Sequence, residues 1–320
     1  MKKIVIDIAQ LTPRHRRAIA ERAAQRGYEA RFCPDEAQAL AQAADAEILF
    51  AANPALAGVA RELKWLCVPS AGVEPYVPRG IYARPEALLS NSSGAYGVTI
   101  AEHIVMVTLE MMRRQQEYTA LMAARGWRRD LPVRSIRGSR VTLLGTGNIG
   151  QEAARRLSAF GPERIVGVNR TGAAPEGPFD GVVPLDGLDA LLGETDLLVM
   201  SLPGTPETAG IMDARRLELL PKDAFLVNVG RGSAIDQGAL IRLMRGGRLS
   251  GAALDVFEVE PLPPQDALWD CPRLLITPHC SGNMTLGYTV DRIVELFLED
   301  FDNYCEGRPL LRRVDLALGY

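Results

Sequence analysis

Several scarcities narrow the reading of this 320-residue chain before any motif is considered. Cysteine is sparse: Cys33, Cys67, Cys271, Cys280 and Cys305 are odd in number, and no two stand at CxxC or zinc-ligand spacing. This excludes a disulfide framework, supplies no metal centre and reads as reduced thiols in a cytoplasmic protein. Histidine is scarcer still, with His15, His103 and His279 the whole supply of imidazole for proton transfer near neutral pH. No apolar run approaches the length of a membrane-spanning helix. The opening Met1-Lys-Lys-Ile-Val-Ile-Asp7 is interrupted by its aspartate after three apolar residues, so it reads as a first strand, not a signal peptide. An excess of one charge is lacking too. A net charge of -3 gives no electrostatic footing for nucleic acid or an anionic membrane surface. The basic clusters Arg14-His15-Arg16-Arg17 and Arg312-Arg313 read as solvated faces. No internal repeat, low-complexity tract or appended regulatory domain is expected.

What is present is an ordinary globular composition, 47% apolar and 23% charged, with length enough for two domains. Val141 to Leu144 form an apolar, strand-like run followed by Gly145-x-Gly147-x-x-Gly150 and a helical pattern from Gln151 to Phe160, stopping at Gly161. The first glycine permits a tight turn, the second lets backbone approach a pyrophosphate, and the third lets helix and strand pack closely. The phosphates would sit on free N–H groups at the positive end of a helix dipole. A tight strand-to-helix turn alone would use the same glycines; the strand before and helix after favour the dinucleotide reading.

Before the fingerprint, strands are expected at Lys3–Ala9, Ala30–Cys33, Ala46–Ala51 and Leu66–Pro69, with helices at Thr12–Arg26 and Glu36–Ala44. Thr12 is the expected N-cap, Pro13 the first helical residue, and Gly27 the stop. This alternation predicts a small parallel sheet covered by helices. Ser70-Ala71-Gly72 follows the fourth strand and reads either as a substrate loop or as a plain turn. Asn91–Gly97 reads as a hinge or linker, Thr99–Arg114 as a long apolar helix carrying His103 as a core or interface residue, and Arg125–Gly138 as a basic connection. After Gly161, strands at Arg164–Val168, Gly181–Val183, Asp196–Leu202, Ala224–Val229, Ser250–Val256 and Leu274–Thr277 alternate with helices near Leu185–Leu192, Asp213–Leu220 and Asp236–Arg245. A last helix spans Thr285–Tyr304. The pattern is that of α/β, doubly wound parallel sheets.

Three strand ends carry reactive groups. Val227-Asn-Val-Gly-Arg-Gly232 sets Arg231 between glycines, where a guanidinium can grip a carboxylate in bidentate fashion and polarise an adjacent carbonyl. Asp255-Val-Phe-Glu-Val-Glu-Pro261 places Asp255 at a strand end and Glu260 in the loop beyond. Thr277-Pro-His279-Cys-Ser-Gly282 places His279, the one histidine in such a loop, as the acid/base candidate. Singly they read as a capping arginine, a surface glutamate and a turn histidine; together they read as a site.

These motifs, with Ser70–Gly72 and Ile100-Ala-Glu-His103, resemble the D-isomer-specific 2-hydroxyacid dehydrogenases over nearly the whole chain. The resemblance implies two Rossmann-like domains with an interdomain cleft. A discontinuous, flavodoxin-like substrate domain would cover residues 1–98 plus 285–320, and a dinucleotide domain residues 99–284. It implies a homodimer through the Thr99–Arg114 helix and the arm after it. Arg231 would bind a small 2-oxo acid with Ser70, Ala71 and Gly72, His279 would donate the proton, and Glu260 would hold and charge the imidazole. The cofactor contacts it implies are Gly145, Gly147, Asn148, Ile149, Gly150, Asn169, Arg170, Thr171, Leu202, Pro203, Thr208, Val229, Gly230, Asp255, Ser281 and Gly282.

Two details refine the expectation. The related formate dehydrogenases carry Gln where Glu260 stands, so Glu favours a hydroxy acid. Where NAD-type members place an acid on the adenosine ribose, this chain has Asn169-Arg170-Thr171. No acid repels a 2′-phosphate there and Arg170 can pair with one, so NADP(H) is expected over NAD(H). The substrate expected is glyoxylate or hydroxypyruvate. The alternative is a non-catalytic dinucleotide-sensing module similar to corepressors of this fold, against which the lack of disordered tails counts.

Overall fold

The computed structural model describes residues 1–316. The chain divides into two compact units, Met1–Tyr96 with Met284–Tyr320, and Gly97–Asn283.

In the first unit, β1 (Lys2–Asp7), α1 (Pro13–Gln25), β2 (Tyr28–Phe32), α2 (Glu36–Ala43), β3 (Ile48–Ala51), α3 (Ala55–Val59), β4 (Trp65–Cys67) and β5 (Leu88–Ser90) follow in order. The strands pair in parallel as β2-β1-β3-β4-β5, a doubly wound order. Neither α3 nor β5 is foreseen by periodicity: at five and three residues they are too short to show any. α1 starts as expected, with Thr12 as N-cap and Pro13 in the first turn. His15, expected on a solvated basic face, is instead 6% exposed. Its Nδ1 accepts the Thr12 N–H at 3.2 Å and its Nε2 lies 2.6 Å from Asp291. Arg312, also expected to be solvated, is largely buried and pairs with Glu299 and Asp300. Both residues sit opposite carboxylates of the helix Gly287–Cys305, distant in sequence, and this pairing overrides the local basic pattern.

That helix lies on the sheet through aromatic rings. Phe297 stacks on Phe50 with centroids 4.1 Å apart, and on Trp65 at 5.5 Å. At the opposite end Glu47, only 11% exposed at its side chain, accepts from Tyr28 (2.5 Å) and Tyr304 (3.0 Å) and from Lys2 and Lys64 (both 3.2 Å). Burial alone would raise its pKa, but these four donors outweigh it and lower the value to about 2. A carboxyl with its folded pKa below the unfolded value of 4.5 stabilises the fold above pH 4.5, and the contribution fades as pH falls toward 2. Glu47→Gln is therefore expected to lose about 2–3 kcal/mol at pH 7. In urea titrations the gap from wild type should narrow steadily below pH 4.5; a gap independent of pH would refute the assignment.

In the second unit, α4 (Gly97–Met112) and α5 (Gln115–Ala123) precede β6 (Arg140–Leu144), α6 (Asn148–Ser158), β7 (Arg164–Asn169), β8 (Gly181–Pro184), α7 (Leu188–Leu192), β9 (Leu197–Met200), α8 (Ala214–Leu219), β10 (Phe225–Asn228), α9 (Gln237–Arg245), β11 (Gly251–Leu254) and β12 (Leu274–Ile276). The sheet is parallel throughout, in the order β12-β11-β10-β9-β6-β7-β8. β9, β10 and β11 are buried at every residue, matching sequences that are apolar throughout except at Asn228. β6 lies between β7 and β9, where the winding reverses, so the turn after it opens at the switch point of the sheet. α6 begins at Asn148, three residues before the expected Gln151, so Gly150 is helical. α5 is not foreseen from the sequence, because its residues show no apolar face, and it buries none of them.

Candidate active site

The glycine turn comes first along the carboxyl edge of the second sheet. Gly145 adopts φ +110, and a side chain there would meet Ser201, while one at Gly150 would run into the Gly145 carbonyl. Gly147 differs. Its φ of -70 suits any residue, and a Cβ built on it meets nothing within 4 Å. Neither backbone strain nor a protein neighbour accounts for this glycine. α6 moreover starts without a side-chain cap, leaving first-turn N–H groups to a ligand. An open cradle above an uncapped helix start fits a pyrophosphate. Ile149 lies in this first turn; the Asn148 side chain lies against Gly97 at the start of α4.

β7 ends at Asn169, whose amide is fully engaged in the following turn. Its Nδ2 donates to Thr146 Oγ1 and to the Ala173 carbonyl, both at 2.8 Å. Its Oδ1 accepts from Thr171 N (3.1 Å) and Gly172 N (2.7 Å). The Thr171 hydroxyl accepts from Ala173 N at 3.3 Å. Of the three residues expected at the adenosine end, two thus build the turn, and Arg170 stands exposed at its tip.

From the fingerprint the edge continues as a series of close backbone approaches. Leu202, just past β9, abuts Gly230, where a Cβ would lie 2.7 Å from the Leu202 carbonyl oxygen. Thr208 closes the adjoining turn by donating to the Pro203 carbonyl at 2.7 Å. Val229 is buried, and Arg231 follows Gly230 with its guanidinium donating to the Gly230 carbonyl at 2.7 Å. Asn228, 1% exposed, folds this turn: Oδ1 accepts the Gly230 N–H at 3.0 Å and Nδ2 donates to the Arg231 carbonyl at 2.9 Å. Its signal in the sequence is one amide ending a strand otherwise wholly apolar. At Gly232 a Cβ would overlap the Phe257 carbonyl carbon at 1.9 Å, so only glycine lets the Arg231 turn seat against the loop that carries Glu260.

Glu260 uses both oxygens. Oε1 accepts the Phe257 N–H at 2.9 Å, and Oε2 lies 2.7 Å from His279 Nδ1. With Nδ1 engaged, Nε2 is the nitrogen left for a substrate. The pair is partly exposed, 52% at the imidazole and 33% at the carboxylate, so solutes reach it. His279 holds φ +49, a left-handed conformation that non-glycine residues rarely adopt, in a turn closed by its N–H on the Thr277 carbonyl at 2.9 Å. Asp255, expected among the cofactor residues, is 1% exposed and turned toward this loop. It accepts from Thr277 Oγ1 (2.6 Å), Cys280 N (2.9 Å) and Ser281 N (3.0 Å). Ser281 is buried, and Gly282 follows it half-buried.

Behind the loop, His103 on α4 places Nε2 3.3 Å from Thr277 Oγ1. Burial lowers its pKa below the usual 6.5, against the opposing charges of Asp255 and Glu110. Sequence reading saw Asn228 and Thr277 without giving either a role. In the first unit, the Ser70–Gly72 turn has all three carbonyls engaged, by Ser92 N (2.9 Å), Asn91 Nδ2 (2.8 Å) and Ser70 Oγ (2.7 Å). What it offers a ligand is its N–H edge.

Comparison with known proteins gives the family of the chain. The family model described as D-isomer specific 2-hydroxyacid dehydrogenase, NAD binding domain, matches residues 105–281. Glyoxylate/hydroxypyruvate reductase A of Salmonella typhimurium is 31% identical over 267 residues, 81% of this chain and 83% of that protein. The chain belongs to the D-isomer-specific 2-hydroxyacid dehydrogenases. A member of that family from Aeromonas salmonicida superposes with a TM-score of 0.86 at 32% identity, covering 98% of this chain and 99% of the other. The NADPH-dependent glyoxylate/hydroxypyruvate reductase of Sinorhizobium meliloti, solved with NADP and sulfate, gives 0.84 at 29% identity, with full coverage of both chains. This dehydrogenase is thus an NAD(P)-dependent oxidoreductase acting between 2-hydroxy and 2-oxo acids. Among its described residues no helix is long and apolar enough to cross a membrane, and no cluster is suited to a metal ion.

Proposed function

We propose that the enzyme reduces a small 2-oxo acid, glyoxylate or hydroxypyruvate, to the D-2-hydroxy acid, and that it favours NADPH over NADH. The observation that carries this reading is the His279–Glu260 pair, with Nδ1 held and Nε2 left outward, on a ridge seated against the Arg231 turn. Arg231 binds the substrate carboxylate and polarises the neighbouring carbonyl. His279 Nε2 hands its proton to the carbonyl oxygen, and Glu260 keeps the ring aimed and balances its charge. When bound, the reduced nicotinamide supplies the hydride. Gly147 and the first turn of α6 would hold its pyrophosphate, and Arg170 would pair with the 2′-phosphate.

The relatives' names support the substrate class, and the exposed Arg170 at a turn without an acid supports NADPH. A charge-assisted contact of this kind contributes about 1.5–3 kcal/mol, so NADPH should be favoured roughly tenfold to a hundredfold. Specificity constants for glyoxylate, hydroxypyruvate, pyruvate and bulkier 2-oxo acids with each cofactor test both parts. Arg170→Ala should erase most of the cofactor preference; equal constants for both cofactors in wild type would refute it. Failure to turn over any member of the panel would favour the dinucleotide-sensing module instead. The exposed Met106 of α4, Met122 of α5 and Trp127 beyond them support a homodimer through this face, which light scattering checks.

A further inference from the structure

We infer that His103 is a positioning residue for the acid/base loop, acting through Thr277 and Asp255. This rests on the reading of His279 as the proton donor. The direction of each hydrogen bond follows from the donors available. Thr277 Oγ1 has one proton and lies 2.6 Å from the Asp255 carboxylate, to which it donates. Its oxygen can therefore only accept from His103 Nε2 at 3.3 Å, which requires the ring to carry its proton on Nε2. On the far side, Asp255 takes the N–H groups of Cys280 and Ser281, the two residues directly after His279. The relay thus runs from a helix, across one hydroxyl and one buried carboxylate, into the turn that holds His279 at φ +49.

Such a turn persists only if its surroundings over-determine it. The Thr277 hydroxyl has a choice of rotamers, and Asp255 captures it in the one that also faces His103. Take away the His103 donor and the hydroxyl is held from one side only. Asp255 then loses a fixed partner at the oxygen shared by Thr277 and the Cys280 N–H. His279 Nε2 would wander from its reacting position while the Glu260 contact and the cofactor cradle, formed by other elements, remain. Thr277 and His103 both lie within the second unit.

Three single substitutions, one double variant and two readouts test this. His103→Leu removes the donor; His103→Gln puts an amide N–H in its place; Thr277→Val removes the hydroxyl but keeps the shape. His103→Leu and Thr277→Val should each lower kcat for 2-oxo acid reduction about tenfold, with NADPH Kd and thermal midpoint little changed, and His103→Gln should recover most of the loss. The double variant His103→Leu/Thr277→Val should cost no more than either alone, since both cut one relay. The second readout needs no turnover. With three histidines in the sequence, 15N-histidine labelling gives three resolvable rings. His103 should show the Nε2–H tautomer, and the His279 ring signals should shift or broaden in Thr277→Val. An Nδ1–H tautomer at His103, unmoved His279 signals in Thr277→Val, or a Gln variant as impaired as Leu would each overturn the relay. A wild-type enzyme inactive on every 2-oxo acid but showing these ring signatures would fail the functional reading and leave the relay standing.

Discussion

Arg231→Lys is expected to lower kcat/KM for 2-oxo acid reduction about 100-fold to 1,000-fold while leaving NADPH affinity nearly intact. The substitution keeps the charge and loses the planar fork. The guanidinium already donates one N–H to the Gly230 carbonyl at 2.7 Å, which fixes the plane of the group. In the proposed substrate complex the group would grip the carboxylate along two parallel bonds, each charge-assisted. An ammonium has no plane for the Gly230 carbonyl to fix, and it delivers one such bond at best. The loss is about 3–4 kcal/mol, which converts to the stated range at 1.36 kcal/mol per tenfold. The cofactor term should be spared because the Gly147 cradle and the Arg170 turn belong to β6, α6 and β7. Steady-state kinetics beside fluorescence titration of NADPH separate the two. A Lys variant within threefold of wild type in kcat/KM would show that Arg231 does not clamp the substrate.

The sequence disclosed best what the backbone demands. Glycines at 145, 147 and 150 are legible because strand geometry, ligand approach and helix packing each exclude a side chain, and such exclusions are local. Arg231, Glu260 and His279 stood out for a similar reason: charged groups in short loops after apolar strands have few structural uses. What stayed hidden depends on partners far along the chain. His15 sits among arginines and resembles its neighbours until Asp291, 276 residues away, is placed against its ring. Asn169 and Thr171 were read as ligands from their position, yet the turn that displays Arg170 engages both side chains. Asn228 and Thr277 do their work through hydrogen bonds to backbone or to a buried carboxylate, and no spacing rule announces such bonds. β5 escaped because three residues cannot show a period, and only its pairing with β4 makes it a strand.

His279→Ala should remove most of the reductive rate, about 100-fold to 10,000-fold in kcat, as expected when a positioned acid is lost. Glu260 is expected to contribute differently, because it touches the ring that would carry the proton. Glu260→Gln keeps an oxygen for the Phe257 N–H, so the loop should hold its shape, but it removes the charge facing Nδ1. A smaller loss follows, about tenfold to a hundredfold, with KM moving less than kcat. The sharper test is the pair together. If Glu260 acts only through the imidazole, then once His279 is gone there is nothing left for it to orient, and the double variant should be no slower than His279→Ala. Free imidazole supplied to His279→Ala should restore part of the rate by occupying the vacated place beside Oε2, and the restored part should shrink when Glu260→Gln is added. Additive losses in the double variant would mean that Glu260 meets substrate or cofactor directly. A His279→Ala enzyme within tenfold of wild type would move the proton donor elsewhere. In that event His103 offers no replacement, since its protonated nitrogen is already committed to Thr277.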